Sequence, residues 1–142
     1  MELKLKYPPT PEHAPDLARV CVEAARSVSG ISLDFTPASL ALVDNQLERF
    51  HSEGLDAESI GATLFCFGCY LGEILIRDFG GRWIWLEDSP LKEYGGPPIV
   101  IVLDAGSYWN PIGRVFERVD VGKEYDLQYF YQTIARHGPA LT

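Results

Sequence analysis

Cys66 and Cys69, three residues apart, are the first residues of this chain whose types and spacing could do chemistry. A Cys-x-x-Cys pair runs redox exchange when its first thiol sits at a helix N-terminus, where the dipole lowers its pKa. It forms half of a zinc site when two more ligands stand at matching spacing. Neither condition is met. Cys66 falls about two turns or more inside an apolar helical run, and His13, His51 and His137 are scattered along the chain. The pair is read as core, and no metal and no cofactor is expected.

Glu73 is the second candidate. A carboxylate among Leu71, Ile74 and Leu75 must be paired, protonated or facing a cavity, because unpaired burial of its charge is costly. Arg77 follows one helical turn on, and Arg82 returns across the Gly80-Gly81 break. The structural expectation is a Glu–Arg pair fixing the corner between helix and strand. The functional one is a general acid/base, or an anchor for a cation, in a pocket lined by Tyr70, Glu73, Arg82 and Trp83. No second carboxylate or His stands at a catalytic spacing and no Ser/His/Asp set converges, so no catalytic residue is assigned and a non-enzyme is favoured.

Aromatic residues supply the third set. Trp83, Trp85, Tyr108 and Trp109 fall on two strands, where core packing or an exposed partner-binding face could use them. Tyr94 lies in the long loop Glu87–Pro98 and is a candidate contact residue. Gly95-Gly96 in that loop is no phosphate cradle, since the lysine and the following helix are missing.

The elements that must position these residues follow from periodicity. Leu17, Val20, Cys21, Ala24, Ala25 and Val28 make the apolar face of a helix over Pro15–Ser29 that Gly30 ends. Thr36-Pro37 starts a second helix, running to about Glu53, with Leu40, Val43, Leu47 and Phe50 inward and Asp44, Glu48 and Glu53 facing water. A third, very apolar helix begins at Asp56 and stops at Gly80-Gly81. On a wheel of about 100° per residue its Gly61, Gly68 and Gly72 share one stripe, which predicts a close approach of another backbone. Ser59, Thr63, Cys66, Tyr70, Glu73 and Arg77 form a weakly polar stripe opposite.

Strands are predicted at Arg82–Leu86, at Ile99–Leu103 and, after a turn at Asp104–Gly106, at Ser107–Asn110. Ile112–Val119 reads as a short helix in preference to a strand. Asp126–His137 is a last amphipathic helix with Leu127, Phe130, Tyr131 and Ile134 inward. Residues 1–10 suit an edge strand or a loose arm. The sum is one α+β domain over residues 1–142, a small antiparallel meander of three strands with about five helices in the order α-α-α-β-β-β-α-α.

Composition bounds the function. The 142 residues suit one domain with a real core, and their formal charge of −8 disfavours a polynucleotide partner. Between Asp34 and Glu58 six acids face the single base Arg49, a balance that suits a basic protein partner. Three cysteines, an odd number, favour a reducing, cytoplasmic setting. The segment MELKLKYPPTPEH has no apolar stretch of a signal peptide, and the longest uncharged run is too short to span a membrane.

The stretches LDFTPASLALVD (33–44), GCYLGEILIRDFGGRW (68–83) and NPIGRVFERVDVG (110–122) resemble a family of small bacterial domains of unknown function. The resemblance covers residues 31–135 and rests on Gly-x-Tyr-x-Gly-Glu, Gly-Gly-x-Trp and Asn-Pro-x-x-x-Val in order. It implies a shared fold rather than a chemistry. A family site would fall at Tyr70, Glu73, Arg82, Trp83 and Asn110. Together these readings favour a cytoplasmic protein-binding domain of immunity or adaptor type, with Tyr70, Glu73, Arg77, Arg82, Trp83, Tyr94, Trp109 and Asn110 as ligand or partner candidates. A small-ligand protein using the Glu73 pocket and a homodimer burying its aromatic sheet are the rivals.

Overall fold

Nine consecutive residues from Leu64 to Gly72 are buried, and the rest of the molecule is arranged around them. They belong to α3 (Gly61–Phe79), the longest helix of a computed structural model that describes residues 5–137. Around it stand α1 (Ala14–Ser29), α2 (Leu40–Ser52), α4 (Pro111–Asp120) and α5 (Leu127–His137), with strands β1 (Gly81–Trp85), β2 (Ile99–Leu103) and β3 (Tyr108–Trp109). The α+β architecture and the element order are those expected from the sequence. Of the 1–10 reading, positions 1–4 lie outside the described residues; residues 5–10 form no strand and lead into a 3-10 turn at Pro11–His13.

The helix boundaries follow local chemistry. Gly30, at φ 67°, closes α1: its N–H and that of Ile31 reach back to the carbonyls of Arg26 and Ala25. Leu17, Cys21 and Ala25 of α1 are buried as expected, but Val28 is 84% exposed beside that end. Thr36 caps the next segment, its Oγ1 accepting from the Ser39 N–H, and a 3-10 turn at Pro37–Ser39 leads into α2. α3 starts five residues later than expected. Asp56 accepts from the Glu58 N–H and its carbonyl takes Ser59, so these polar residues form a turn that competes with the helix. Ile112–Val119 is helical, capped by Asn110, whose Oδ1 accepts from the Gly113 N–H at 2.9 Å.

The sheet is an antiparallel meander in the order β1-β2-β3. Its central strand is buried throughout. Register places Trp83, Ile101 and Trp109 in one cross-strand row and Arg82, Val102 and Tyr108 in the next. Because side chains alternate, the first row faces the helices and the second the opposite side. Ile99, Ile101 and Leu103 join the main core; Val100 and Val102 are buried outside it.

The glycine stripe of α3 does what its spacing implied. A Cβ on Gly68 would lie 2.5 Å from the Ile112 Cα of α4, and one on Gly72 would enter the Trp83 ring at 2.2 Å. Pro111 stands 3.2 Å from the same point on Gly72. Helix, helix and strand therefore meet where glycine leaves room.

The expected solvation of Asp44 and Glu48 is overturned. Asp44 and Glu48 do not both face water. Arg118 of α4 is fully buried and donates from Nε and Nη2 to the two oxygens of Asp44, at 2.9 and 3.1 Å, and from Nη2 to Glu48 at 2.8 Å. Asp44 also accepts from the Leu127 N–H at 3.1 Å, tying α2, α4 and the start of α5 together. Burial would depress the Arg118 guanidinium, but its bonds to Asp44 and Glu48 outweigh that and hold it above its usual value. Beside this network His51 Nδ1 lies 2.7 Å from the Val119 carbonyl, which can only accept, so that nitrogen carries the proton.

Candidate functional site

The corner where α3 meets β1 is held by Glu73, with a partner other than the one expected. Glu73 accepts from the Trp83 indole N–H at 2.9 Å, and among the described residues no ion pair joins it to Arg77 or Arg82. Arg77 turns away and lies over the Phe35 ring, 3.8 Å from its centroid. Arg82 falls in the cross-strand row on the opposite side of the sheet from Trp83 and is exposed. Alternation along a strand makes this unavoidable, since residues 82 and 83 cannot share a face.

Tyr70 is fully buried and fully engaged. Its hydroxyl accepts from the Phe35 N–H at 2.9 Å and lies 2.6 Å from Ser39 Oγ. Phe35 adopts φ 60°, a left-handed conformation that costs a residue with a bulky side chain. The Tyr70 bond, the ring contact at 4.8 Å and the Arg77 guanidinium together hold it there. The Leu-Asp-Phe-Thr stretch is thus strapped onto α3 by the tyrosine of Gly-x-Tyr-x-Gly-Glu.

The remaining candidates divide. Trp109 packs edge-on against Phe130 and donates to Ser107 Oγ at 2.9 Å, while Asn110 caps α4. Tyr94 is 82% exposed at the tip of its loop. The three cysteines are buried thiols. Burial pushes Cys66 up to about 11, and raises Cys69 further, with Cys66 and Glu73 adding to it. Neither thiol has the lowered pKa of a reactive cysteine.

The residue that sequence reasoning underweighted is Trp85. It is 44% exposed at the end of β1, whereas Trp83 in the same strand is buried. Two open grooves meet at it. One, of about 380 Å³, runs along β1 past Pro11, Arg82, Ile84, Asp88 and Tyr108. The other, of about 570 Å³, is bounded by Leu86, Glu87, Asp88, Gly96 and Pro98. Glu73 lines neither groove. The signal for Trp85 was its place at the strand's end, next to a long loop that cannot cover it.

That loop is pinned at its mouth. The Leu86 N–H donates to the Pro98 carbonyl at 2.7 Å, continuing the register of the β1–β2 ladder. Buried Ser89 donates to the Leu86 carbonyl at 2.8 Å and accepts from the Leu91 N–H at 3.1 Å. Leu86–Asp88 and Pro90–Tyr94 consequently form two short 3-10 turns instead of a slack connection.

The sequence model of the family described as "Domain of unknown function (DUF3806)" matches residues 44–131, more than half of the chain. The chain belongs to the DUF3806 family. The matched residues run from Asp44 of the buried ionic network through the α3–β1 corner and the Trp85 loop to Tyr131 of α5. In this DUF3806 chain, α1 and the Phe35 strap lie outside them. No curated protein and no solved structure matches the chain.

Proposed function

We propose that this DUF3806 chain is a protein-binding domain whose docking surface is centred on Trp85. The observation that carries this is a half-exposed tryptophan, the more exposed of the two in β1, at the junction of two open grooves beside a pinned loop. Large aromatic anchors in such settings contribute disproportionately to protein–protein affinity. Supporting it, the candidates around Glu73 are engaged in internal bonds, and of the six acids between Asp34 and Glu58 four are exposed: Asp34, Glu53, Asp56 and Glu58. An acidic surface and a net charge of −8 suit a basic partner, as in an immunity or adaptor role. Three unbridged cysteines fit action in the reducing cytoplasm.

The test is affinity capture from cells of the source organism, with the wild-type chain, Trp85→Ala and Tyr129→Ala compared. Tyr129, on α5, is 61% exposed and serves as an aromatic control away from the grooves. The reading expects one partner held by wild type and Tyr129→Ala and lost by Trp85→Ala, with all three equally stable. Retention of the partner by Trp85→Ala would falsify it.

A further inference from the structure

We propose that the Trp85 corner receives an arginine side chain from an extended, basic segment of its partner. The guanidinium stacks on the indole and its N–H groups donate to Glu87 and Asp88. This rests on the reading of the Trp85 face as a docking surface, and specifies its occupant.

Four observations point to a cation. Both grooves share Trp85 and Asp88, so an aromatic and an acidic residue line both of them. The ionisable residues lining the larger groove are Glu87 and Asp88, both exposed, and among the described residues no ion pair occupies either. Arg82 lines the smaller groove, so an incoming positive charge is directed to the larger one. The Ser89 bonds and the Leu86–Pro98 bond fix the turn that carries the two acids, so little ordering remains to be done on binding.

Shape favours arginine over lysine. A planar guanidinium can lie flat on an indole while its edge forks toward carboxylates, whereas an ammonium does one or the other. The lining also includes Gly96 and Pro98, which carry no long side chain to block a flat group. At about 570 Å³ the groove exceeds one guanidinium and has room for the chain on either side of it. The same carboxylates repel phosphates, so a nucleic-acid or phosphopeptide occupant is disfavoured.

The indole N–H signals of the isotope-labelled full chain test this. Those of Trp83 and Trp109 are bonded internally to Glu73 and Ser107, and Trp85→Phe identifies the third. The probes are acetyl-Gly-Ser-Arg-Ser-Gly-amide and its counterparts with citrulline, which has the same shape without the charge, and with lysine. The arginine peptide is expected to shift the Trp85 signal saturably, binding roughly tenfold more tightly than the citrulline peptide and more tightly than lysine. Glu87→Gln with Asp88→Asn is expected to abolish that preference, and Glu53→Gln, at a distant exposed acid, to preserve it. Equal binding of arginine and citrulline peptides, no shift from either, or a preference that survives the double substitution overturns the proposal. So does lysine binding as well as arginine. A Trp85 shift on concentrating the protein alone, with dimers in sedimentation, overturns it in favour of a second copy as occupant. If Trp85→Ala abolishes partner capture while these peptides are not distinguished, the docking surface stands and the arginine assignment falls. If capture ignores Trp85, both fall.

Discussion

Replacing Arg118 by Met removes the buried cation that links α2 to α4. The Asp44 carboxylate, its side chain 11% exposed, is then left with the Leu127 N–H as its remaining described partner. Removing one member of a buried pair costs about 3–5 kcal/mol, because the other charge stays desolvated. Two features pull the figure down. Glu48, its side chain 35% exposed, can rehydrate, and Arg118 Nη1 is already buried without a partner, a penalty of about 1–3 kcal/mol that the substitution removes. We therefore expect Arg118→Met to lower stability by about 3 kcal/mol, a large part of the roughly 5–15 kcal/mol typical of a domain.

Urea unfolding at neutral pH reads this as a midpoint about 1–2 M lower with an unchanged slope. Adding Asp44→Asn, which removes the stranded charge and can still accept from the Leu127 N–H, should restore part of the loss. The acid limb gives an independent check. Glu48 is held below its usual range by the Ser52 hydroxyl first and Arg118 second, so its contribution is present above the ordinary Glu value and lost as pH falls through the depressed one. Screening at this half-exposed group keeps that share small, and Arg118→Met should flatten it. A single substitution costing under about 1 kcal/mol, or a double variant less stable than the single, would refute the ionic lock.

Gly72→Ala places a Cβ 2.2 Å from the Trp83 ring and should cost about 1–3 kcal/mol, with a shifted Trp83 indole signal; Gly61→Ala, whose nearest neighbour is at 4.0 Å, should not destabilise. Tyr70→Phe deprives the Phe35 N–H of its acceptor and Ser39 Oγ of its hydroxyl partner. It should lower Tm by about 3–6 °C and speed exchange of the Phe35 amide. Burial raises the thiol of Cys66 to about 11, so its contribution to stability is full below the ordinary thiol value and is lost as pH rises toward that figure. Stability should fall across that alkaline window, and less so in Cys66→Ala, while iodoacetamide should label the thiols rapidly only after unfolding.

Periodicity made most of the fold legible because it records which face of an element is dry. It placed the helices around Leu17, Leu40, Leu64, Val115 and Leu127, and the glycine stripe of α3 even announced that something would come close. What it could not supply was the partner of each polar residue, because those lie far away in sequence. Asp44 and Arg118 are 74 positions apart, and Asp44 reads from its own helix as an ordinary solvated charge. A signal was nevertheless present. Asp44 sits within the buried stripe Leu40–Val43–Leu47, and Arg118 between the buried Val115 and Val119. Opposite charges embedded in two apolar stripes can be accommodated only by meeting.

Glu73 shows the converse failure. Its isolation among apolar neighbours demands a partner, a proton or a cavity, and Arg77 and Arg82 are the nearest positively charged candidates in sequence. The indole N–H of Trp83 meets that demand instead, 10 positions away against 74 for the Asp44 pair, because strand alternation sends Arg82 to the far side and Arg77 lies over the face of Phe35. A neutral donor suffices where the carboxylate keeps partial access to water, as Glu73 does to a greater degree than the buried Asp44. That difference in hydration, which a sequence does not encode locally, separates a corner held by one hydrogen bond from one that needs a full guanidinium. The side chains of Arg82, Glu87 and Asp88, by contrast, are exposed and join no ion pair among the described residues, so the groups open to a partner stand at the exposed end of the strand and not at the polar corner.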